Sequence, residues 1–192
     1  MSDITELYEK CRTYRRFAQE KVSDSVLSEM VQTASRRSSA RNAQIIRYVV
    51  VRSPEMTARM QPLVKWAGAL PPEIGHPHDD ETPTAFIVLY FEGKPSPMSY
   101  VDLGIVCDTL SLVAVSHGYG TCTMGAINAP EIKKLLGIPD EAVLPIVMPV
   151  GRPVHTSRIV DVPASGSLAY YTDSERNYYV PKLKLSDVAR FV

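Results

Sequence analysis

The stretch that decides the fold is SYVDLGIVCDTLSLVAVSHGYGTC, residues 99–122. Within it, residues 99–117 are the longest helical candidate in the chain, because apolar residues recur at helical spacing. A helix with apolar and small residues on several sides is predicted to lie at the centre of a domain. The residues that give this pattern are Val101, Ile105, Leu112 and Val115, with the small Gly104 and Ala114.

Three strands are predicted, two before this helix in the chain and one after it. TAFIVLYFEG (84–93) is apolar almost throughout, so we expect a strand buried on both faces. AVLPIVMPVG (142–151) contains prolines that cannot donate to a sheet, so we expect it near an edge. IRYVVVR (46–52) is the third. Further helices are predicted at residues 2–10, from Ser23 or Asp24 to SRRSS, from Ser53-Pro54 to a break near Pro62, and over APEIKKLL before Gly137.

Length and composition suit one domain over residues 1–192, with about 160–192 as an extended C-terminal arm. Apolar periodicity fades beyond Gly151, so we expect this tyrosine-rich tail to pack on something rather than form its own core. The charges balance at 21 basic and 21 acidic residues, which disfavours nucleic acid or a membrane surface as partner. The N-terminus lacks a signal core and the odd cysteines Cys11, Cys107 and Cys122 fit reduced thiols, so we expect a cytoplasmic protein.

Four polar segments are candidates for chemistry. CRTYRRF holds Arg12, Thr13, Arg15 and Arg16, whose donors suit a phosphate, although a solvated helix end explains them too. SSARNAQ, before the strand 46–52, holds Asn42, whose amide can bind a heterocycle edge or cap a turn.

In HGYGTCTMGAI the first two glycines can end a helix, and Gly125 lets a backbone amide approach a flat ligand. In PVGRPVHTSR, Arg152 and Arg158 follow the strand 142–151 together, as a site or as a polar loop. The histidines and acids of residues 76–81 have no second ligand cluster, so we predict no metal site. A serine or cysteine hydrolase lacks support, because no G-x-S-x-G elbow is present and Cys122 has no evident base.

Taken in order, these segments resemble the nitroreductase family of FMN-dependent oxidoreductases, over about residues 8–160. CRTYRRF is similar to the family's R-R-S-x-R-x-F, and SSARNAQII to its P-S-x-x-N-x-Q-P-W ahead of a strand. The long helix ending in GYGTC and the strand ending in GRP complete the likeness. The departures are Cys11 at the first arginine, Ser38 at the proline, and Ile45-Ile46 at Pro-Trp.

The resemblance implies an α+β fold with three α-β-α layers, a mixed and mainly antiparallel sheet, and a homodimer wrapped by the C-terminal arm. It implies FMN at the subunit interface and no catalytic side chain. NAD(P)H would reduce FMN, which would then reduce a nitroaromatic, quinone or similar acceptor by a ping-pong mechanism. The alternatives are a flavin-binding protein without turnover and a cysteine hydrolase. The family's FMN contacts fall on Arg12, Thr13 and Arg15, on Ser38, Ser39, Ala40 and Asn42, on Met124, Gly125 and Ala126, and on Arg152 or Arg158.

Overall fold

The computed structural model describes residues 4–66 and 68–192. Its main sheet has four antiparallel strands in the order β1 (Ile46–Val51), β2 (Ala85–Phe91), β4 (Val143–Gly151) and β3 (Gly120–Thr121). β2 lies between two full-length neighbours and is buried at all but one position, which confirms the prediction from its continuous apolar run.

The prolines of β4 lie near the edge of the sheet, as predicted. Beyond β4, the described residues contribute the two-residue strand β3 and a bridge between Val147 and Met124. This position suits Pro145 and Pro149, since an incompletely paired strand demands fewer backbone donors.

Helices cover both faces of the sheet, as the predicted three-layer α+β fold requires. Ile87 and Leu89 of β2 pack in one core with α2 (Asp24–Ser35) and α5 (Pro97–Ser116). Phe86 and Val88 point to the other side, because successive side chains of a strand alternate. There they share a core with residues of α3 (Pro54–Met60) and α6 (Ala129–Leu136). The remaining helices of this part are α1 (Ile4–Lys10) and α4 (Pro72–Gly75).

Local sequence signals set the helix ends. The Ser53 hydroxyl accepts a hydrogen bond from Met56 N at the start of α3, and a short 3-10 turn carries Pro62 directly after Met60. Gly137, with φ of 65°, ends α6 as predicted. α5 starts two residues before the predicted Ser99, because Pro97 occupies its first turn. Residues 2 and 3 of the predicted first helix lie outside the described residues.

α5 is long and apolar enough to cross a membrane by length and composition alone. It nevertheless belongs to the domain core, since Leu103, Val106 and Leu110 are buried against α2 and the sheet. The prediction of a central helix is therefore confirmed.

The chain groups into two compact units, Met1–Val154 and His155–Val192. The second has its own small sheet, in the order β5 (Ser157–Asp161), β7 (Tyr178–Lys182) and β6 (Tyr171–Thr172), followed by α7 (Leu185–Val188). β5 and β7 are parallel. Apolar periodicity did not predict these strands, because they are only two to five residues long. Tyr178 is fully buried, with its ring 5.1 Å from that of His155 and 5.9 Å from that of Tyr170.

Candidate functional site

A cleft of about 280 Å³ runs along the middle of α5. One wall is the CRTYRRF motif, which contributes Arg12 and Thr13. The residues that complete it are Gly104, Cys107, Asp108 and Ser111 of α5, with Cys11, Thr121 and Thr123. The first and third predicted segments therefore meet at a single cleft.

The backbone of β3 holds the first motif in place. Thr13 forms a parallel bridge with Thr121, and Tyr14 N donates to Thr121 O at 2.9 Å. Gly120 allows this close approach, because a Cβ there would lie 2.5 Å from the Tyr14 ring and 2.7 Å from Pro153. A helix-ending turn was predicted for the HGYG glycines. Gly118, with φ of 76°, fits that role, whereas Gly120 is required by packing.

The floor of the cleft is rich in hydroxyl groups. The hydroxyls of Ser111 and Thr121 are hydrogen-bonded at 2.8 Å, and Ser111 also donates to Cys107 O at 3.0 Å. The Asp108 carboxylate lies in the same cleft and accepts a hydrogen bond from the Tyr8 hydroxyl at 3.3 Å. This carboxylate raises the pKa of Tyr8. Asp108 was not among the predicted site residues, although an acid within an apolar helix was a usable signal.

The loop Ser38–Gln44 leads from α2 into β1 and has a strained backbone. Arg41, Asn42 and Gln44 have positive φ angles of 56°, 54° and 48°, in the left-handed region that L-residues rarely adopt. Such strain persists only where the surroundings enforce it, and it is common at binding sites. The Asn42 side chain is exposed and accepts a hydrogen bond from Gln44 Nε2 at 3.0 Å.

A buried carboxylate holds this loop against α5. Both oxygens of Asp102 lie 3.0 Å from Ala40 N, which donates to them across 62 positions of sequence. Asp102 is only 7% exposed. The loop and the cleft are therefore attached to the same helix, at Asp102 and at Gly104.

The predicted segment Met124–Ala126 follows the cleft wall directly. Met124 N donates to Val147 O at 2.9 Å, and Val147 N returns a bond to Met124 O at 3.0 Å. Ala126 O accepts from Lys65 N at 2.9 Å. Gly125 and Ala126 are exposed, so this well-anchored segment presents two small residues to a ligand.

The other predicted arginines are not among the residues that line the cleft. Arg152 forms a two-pronged ion pair with Glu20, with Nε–Oε2 of 2.6 Å and Nη2–Oε1 of 3.0 Å, and its guanidinium lies 5.0 Å from the centre of the Tyr119 ring. It is thus engaged at the C-terminal end of α5. Arg158 lies on β5 of the second unit. The positive charge of Arg15 opposes, without cancelling, the rise in the pKa of Cys122 that burial causes. Arg16 is buried and pairs with Glu81 at 2.9 Å.

The thiols near the site are weak acids. Burial raises the pKa of Cys107 to about 12 and that of Cys122 to about 11. Burial also raises the pKa of Cys11, which stands on the wall of the cleft. At neutral pH all three are therefore thiols rather than nucleophilic thiolates.

The fold and the cleft together define an α+β protein with a polar binding cleft beside its central helix. The family model for the nitroreductase family matches residues 9–152. The chain therefore belongs to the nitroreductase family.

Individual relatives agree with this assignment. The chain is 24% identical over 169 residues to the iodotyrosine deiodinase of Thermotoga neapolitana, covering 80% of this chain and 90% of that protein. The fold is similar to that of the FMN- and NADPH-dependent nitroreductase NfnB of a Sphigopyxis species, with a TM-score of 0.70, 16% identity and 99% of each chain covered. It is also similar to a nitroreductase with bound FMN from Desulfitobacterium hafniense, with a TM-score of 0.65, 22% identity, and 89% and 99% covered.

Proposed function

We propose that this chain is an FMN-dependent oxidoreductase of the cytoplasm, which takes electrons from NAD(P)H and passes them to a small acceptor such as a nitroaromatic or a quinone. The observation that carries the proposal is the cleft where Arg12 and Thr13 meet α5 and Thr121, in a chain that matches the family model over residues 9–152. The choice of cofactor and reductant is supported by two solved relatives, one that is FMN- and NADPH-dependent and one with bound FMN.

The groups of the cleft fit the two polar parts of FMN. Arg12 has no ion-pair partner among the described residues, and its Nε donates only to the neighbouring Cys11 O at 2.9 Å. Its remaining donors suit a phosphate, with Thr13 beside it and Arg15 three residues on. The Asp108 carboxylate and the Ser111 and Thr121 hydroxyls suit the ribityl hydroxyls, because a carboxylate repels phosphate but accepts from O–H groups.

Two further segments would border the flavin ring. We assign one border to Ser38, Ser39, Ala40 and Asn42, and the other to Met124, Gly125 and Ala126, of which Gly125 and Ala126 are exposed. Arg158 remains a predicted ligand of the FMN phosphate. Arg152 is the weaker of the two candidates, because a phosphate would have to displace Glu20.

The bound cofactor would supply the electron transfer, and the chain's own residues would hold and orient it. Gly125 and Ala126 keep one face clear of side chains, and the strained loop fixes the other border. One such face serving two substrates in turn predicts ping-pong kinetics. Double-reciprocal plots at varied NAD(P)H and nitroaromatic should give parallel lines, and intersecting lines would contradict a shared site.

The proposal is tested first by the absorption spectrum of the purified protein. We expect the visible bands of bound flavin, bleached by NADPH or NADH without air and restored by a nitroaromatic or quinone. A flavin that stays coloured in NAD(P)H would instead favour a binding protein without turnover. A colourless protein that does not take up added FMN would contradict the proposal.

The phosphate assignment is tested with Arg12→Ala. A charge-assisted hydrogen bond typically contributes about 1.5–3 kcal/mol, so FMN affinity should fall about 10- to 100-fold. Riboflavin lacks the phosphate and serves as the control, since both proteins should bind it equally. FMN binding as tight as in the parent would show that the phosphate lies elsewhere.

The cysteine hydrolase alternative is disfavoured by burial. At a pKa of about 11, roughly one Cys122 thiol in a thousand is ionised at pH 8. We expect a thiol reagent to leave Cys122 unmodified in the folded protein and to label it after denaturation. Rapid labelling at pH 8 in the folded state would revive the alternative.

We further propose a homodimer that packs through the outward face of α5. Met98, Tyr100 and Val101 there are about half exposed, at 51%, 50% and 51%. Gly104, on the same face, has open space where a Cβ would lie. α7 and the chain end expose Leu185, Val188 and Phe191 as well, which suits an arm that wraps the partner subunit. An obligate interface of this kind buries more than about 2,000 Å².

The dimer is tested with Val101→Glu, which should give monomers in sedimentation and lower flavin occupancy, because a charge is costly in an apolar interface. Val154→Glu is the matched control, being 45% exposed but outside α5, and should remain dimeric. Deleting residues 155–192 should loosen the dimer in the same way. A Val101→Glu protein that stays dimeric would rule out this face.

A further inference from the structure

A second cavity, of about 490 Å³, lies between the strained loop and the start of α5. On the loop side it is lined by Ala40, Arg41, Ala43 and Ile45. On the other side it is lined by Lys94 and the segment Ser96–Ser99. Asp102, which tethers the loop, is part of its wall. The cavity is therefore next to the proposed flavin border and large enough for a small organic substrate.

The cavity is lined by two cationic side chains, those of Arg41 and Lys94. Among the residues that the structure describes, neither Arg41 nor Lys94 makes an ion pair or a side-chain hydrogen bond. Nearby Arg47 differs, because it pairs with Glu92 just two residues before Lys94. The one acid in the lining, Asp102, is 7% exposed and accepts the Ala40 N–H with both oxygens. The lining thus has one net positive charge, on exposed side chains, in a chain of zero net charge.

The backbone at Arg41 is unusual for a solvated surface residue. Its φ of 56° costs energy that glycine at this position would avoid. An arginine held in that conformation, at the rim of a cavity, matches the association of backbone strain with ligand contact.

We propose that this cavity binds the anionic group, a carboxylate or a phosphate, of a substrate that reaches the flavin face, with Arg41 and Lys94 as its ligands. The inference rests on the proposed function and narrows it to substrates with an oxyanion. The source of the oxyanion is either an acceptor carboxylate or a phosphate of the dinucleotide reductant. Guanidinium and ammonium groups serve both, since each forms charge-assisted hydrogen bonds with oxyanions.

The first test measures binding to the FMN-saturated protein without turnover. Benzoate is compared with benzyl alcohol, and adenosine 2′-monophosphate with adenosine, in ligand-observed NMR titrations. The variants are Arg41→Gln, Lys94→Gln and both together. Arg59→Gln and Lys134→Gln are matched controls, because both residues are exposed cations outside the lining.

We expect one anionic probe to bind better than its neutral partner. Each single substitution should weaken the affinity for this probe about threefold, and the double substitution about tenfold, which is the range for partly screened charge contacts. High ionic strength should have the same effect, and the controls should bind like the parent. Loss of benzoate binding assigns the cavity to the acceptor, and loss of the adenosine phosphate assigns it to the reductant. If the double variant binds both anions like the parent, the inference is wrong.

A kinetic measurement separates this inference from the proposed function. If the variants lose benzoate binding, the ratio of kcat/KM for 4-nitrobenzoate to that for 4-nitrobenzyl alcohol should change. If they lose adenosine phosphate binding, the ratio of kcat/KM for NADPH to that for NADH should change. Reduction of the neutral acceptor with both ratios unchanged in the double variant would sink the inference alone. Failure to reduce any acceptor would sink the proposed function, while the anion titration would still decide what the cavity binds.

Discussion

The loop Ser38–Gln44 and the segment Gly120–Ala126 both contact α5, yet they are held in different ways. The segment is tied at several points by backbone hydrogen bonds, to Tyr14, Lys65 and Val147. The loop has left-handed backbone at Arg41, Asn42 and Gln44, and its contact with α5 includes the bond from Ala40 N to Asp102.

The difference teaches how one site can combine a rigid border and an adjustable one. Backbone bonds within a sheet are redundant, so no single side chain controls the segment. A strained loop depends instead on the group that enforces its conformation. We therefore expect a steric clash to destabilise the segment, and removal of the Asp102 carboxylate to destabilise the loop.

The largest effect is expected from Gly120→Ala in the segment. The new Cβ would lie within 3 Å of two stiff rings, those of Tyr14 and Pro153, so the protein should lose about 3 kcal/mol of unfolding free energy. Gly125→Ala is the matched control, because its nearest atoms are 3.8 Å away. Denaturant unfolding should show Gly125→Ala near the parent, with only its flavin affinity reduced. Equal stability of both variants would contradict the account of Gly120.

The next effect is expected from Asp102→Ala, which leaves the Ala40 N–H without its acceptor. The loss should be about 2 kcal/mol in unfolding free energy, the scale of a buried bond to a charged group. Asp102→Asn retains an acceptor oxygen and should lose less. If Asp102→Ala protects the Ala40 amide from hydrogen exchange as well as the parent does, the tether is unimportant.

A smaller effect is expected from Ser111→Ala on the floor of the cleft. It removes the neutral hydrogen bond to Thr121, which typically contributes about 1 kcal/mol. Both unfolding free energy and FMN affinity should fall, because the hydroxyl belongs to the proposed ribityl contact. Ser116→Ala is the control, since its hydroxyl bonds only its own helix at Val113 O and lies outside the cleft. Unchanged FMN affinity in Ser111→Ala would show that the ribityl chain does not contact this hydroxyl.

The smallest effect, of opposite sign, is expected from Arg41→Gly. Glycine relieves the left-handed strain but loses more chain entropy on folding, for a net gain of about 0.5 kcal/mol. The same variant should bind the anionic probe less well, so stability and binding would move in opposite directions. A destabilised Arg41→Gly would mean that the arginine supports the fold rather than a ligand.

The elements of the main fold follow from local sequence. Pro97 and Ser53 start helices, Gly137 ends one, and the continuous apolar run 84–93 forms the buried strand β2. These signals act within a few residues, so a single sequence carries them fully. The order of four motifs along the chain was enough to predict the family, which the family model confirms.

Only the tertiary structure decides which polar groups are paired and which are free. Arg152 and Arg12 were both predicted to hold the phosphate, but Arg152 meets Glu20, 132 positions away in the chain, whereas Arg12 lines the cleft. Asp102 meets Ala40 across 62 positions, and Gly120 is needed because the Tyr14 and Pro153 rings close over it. Such contacts depend on where the sheet and α5 bring distant segments together. Local propensity therefore determined the helices and strands, and long-range packing decided which side chains remain available to a ligand.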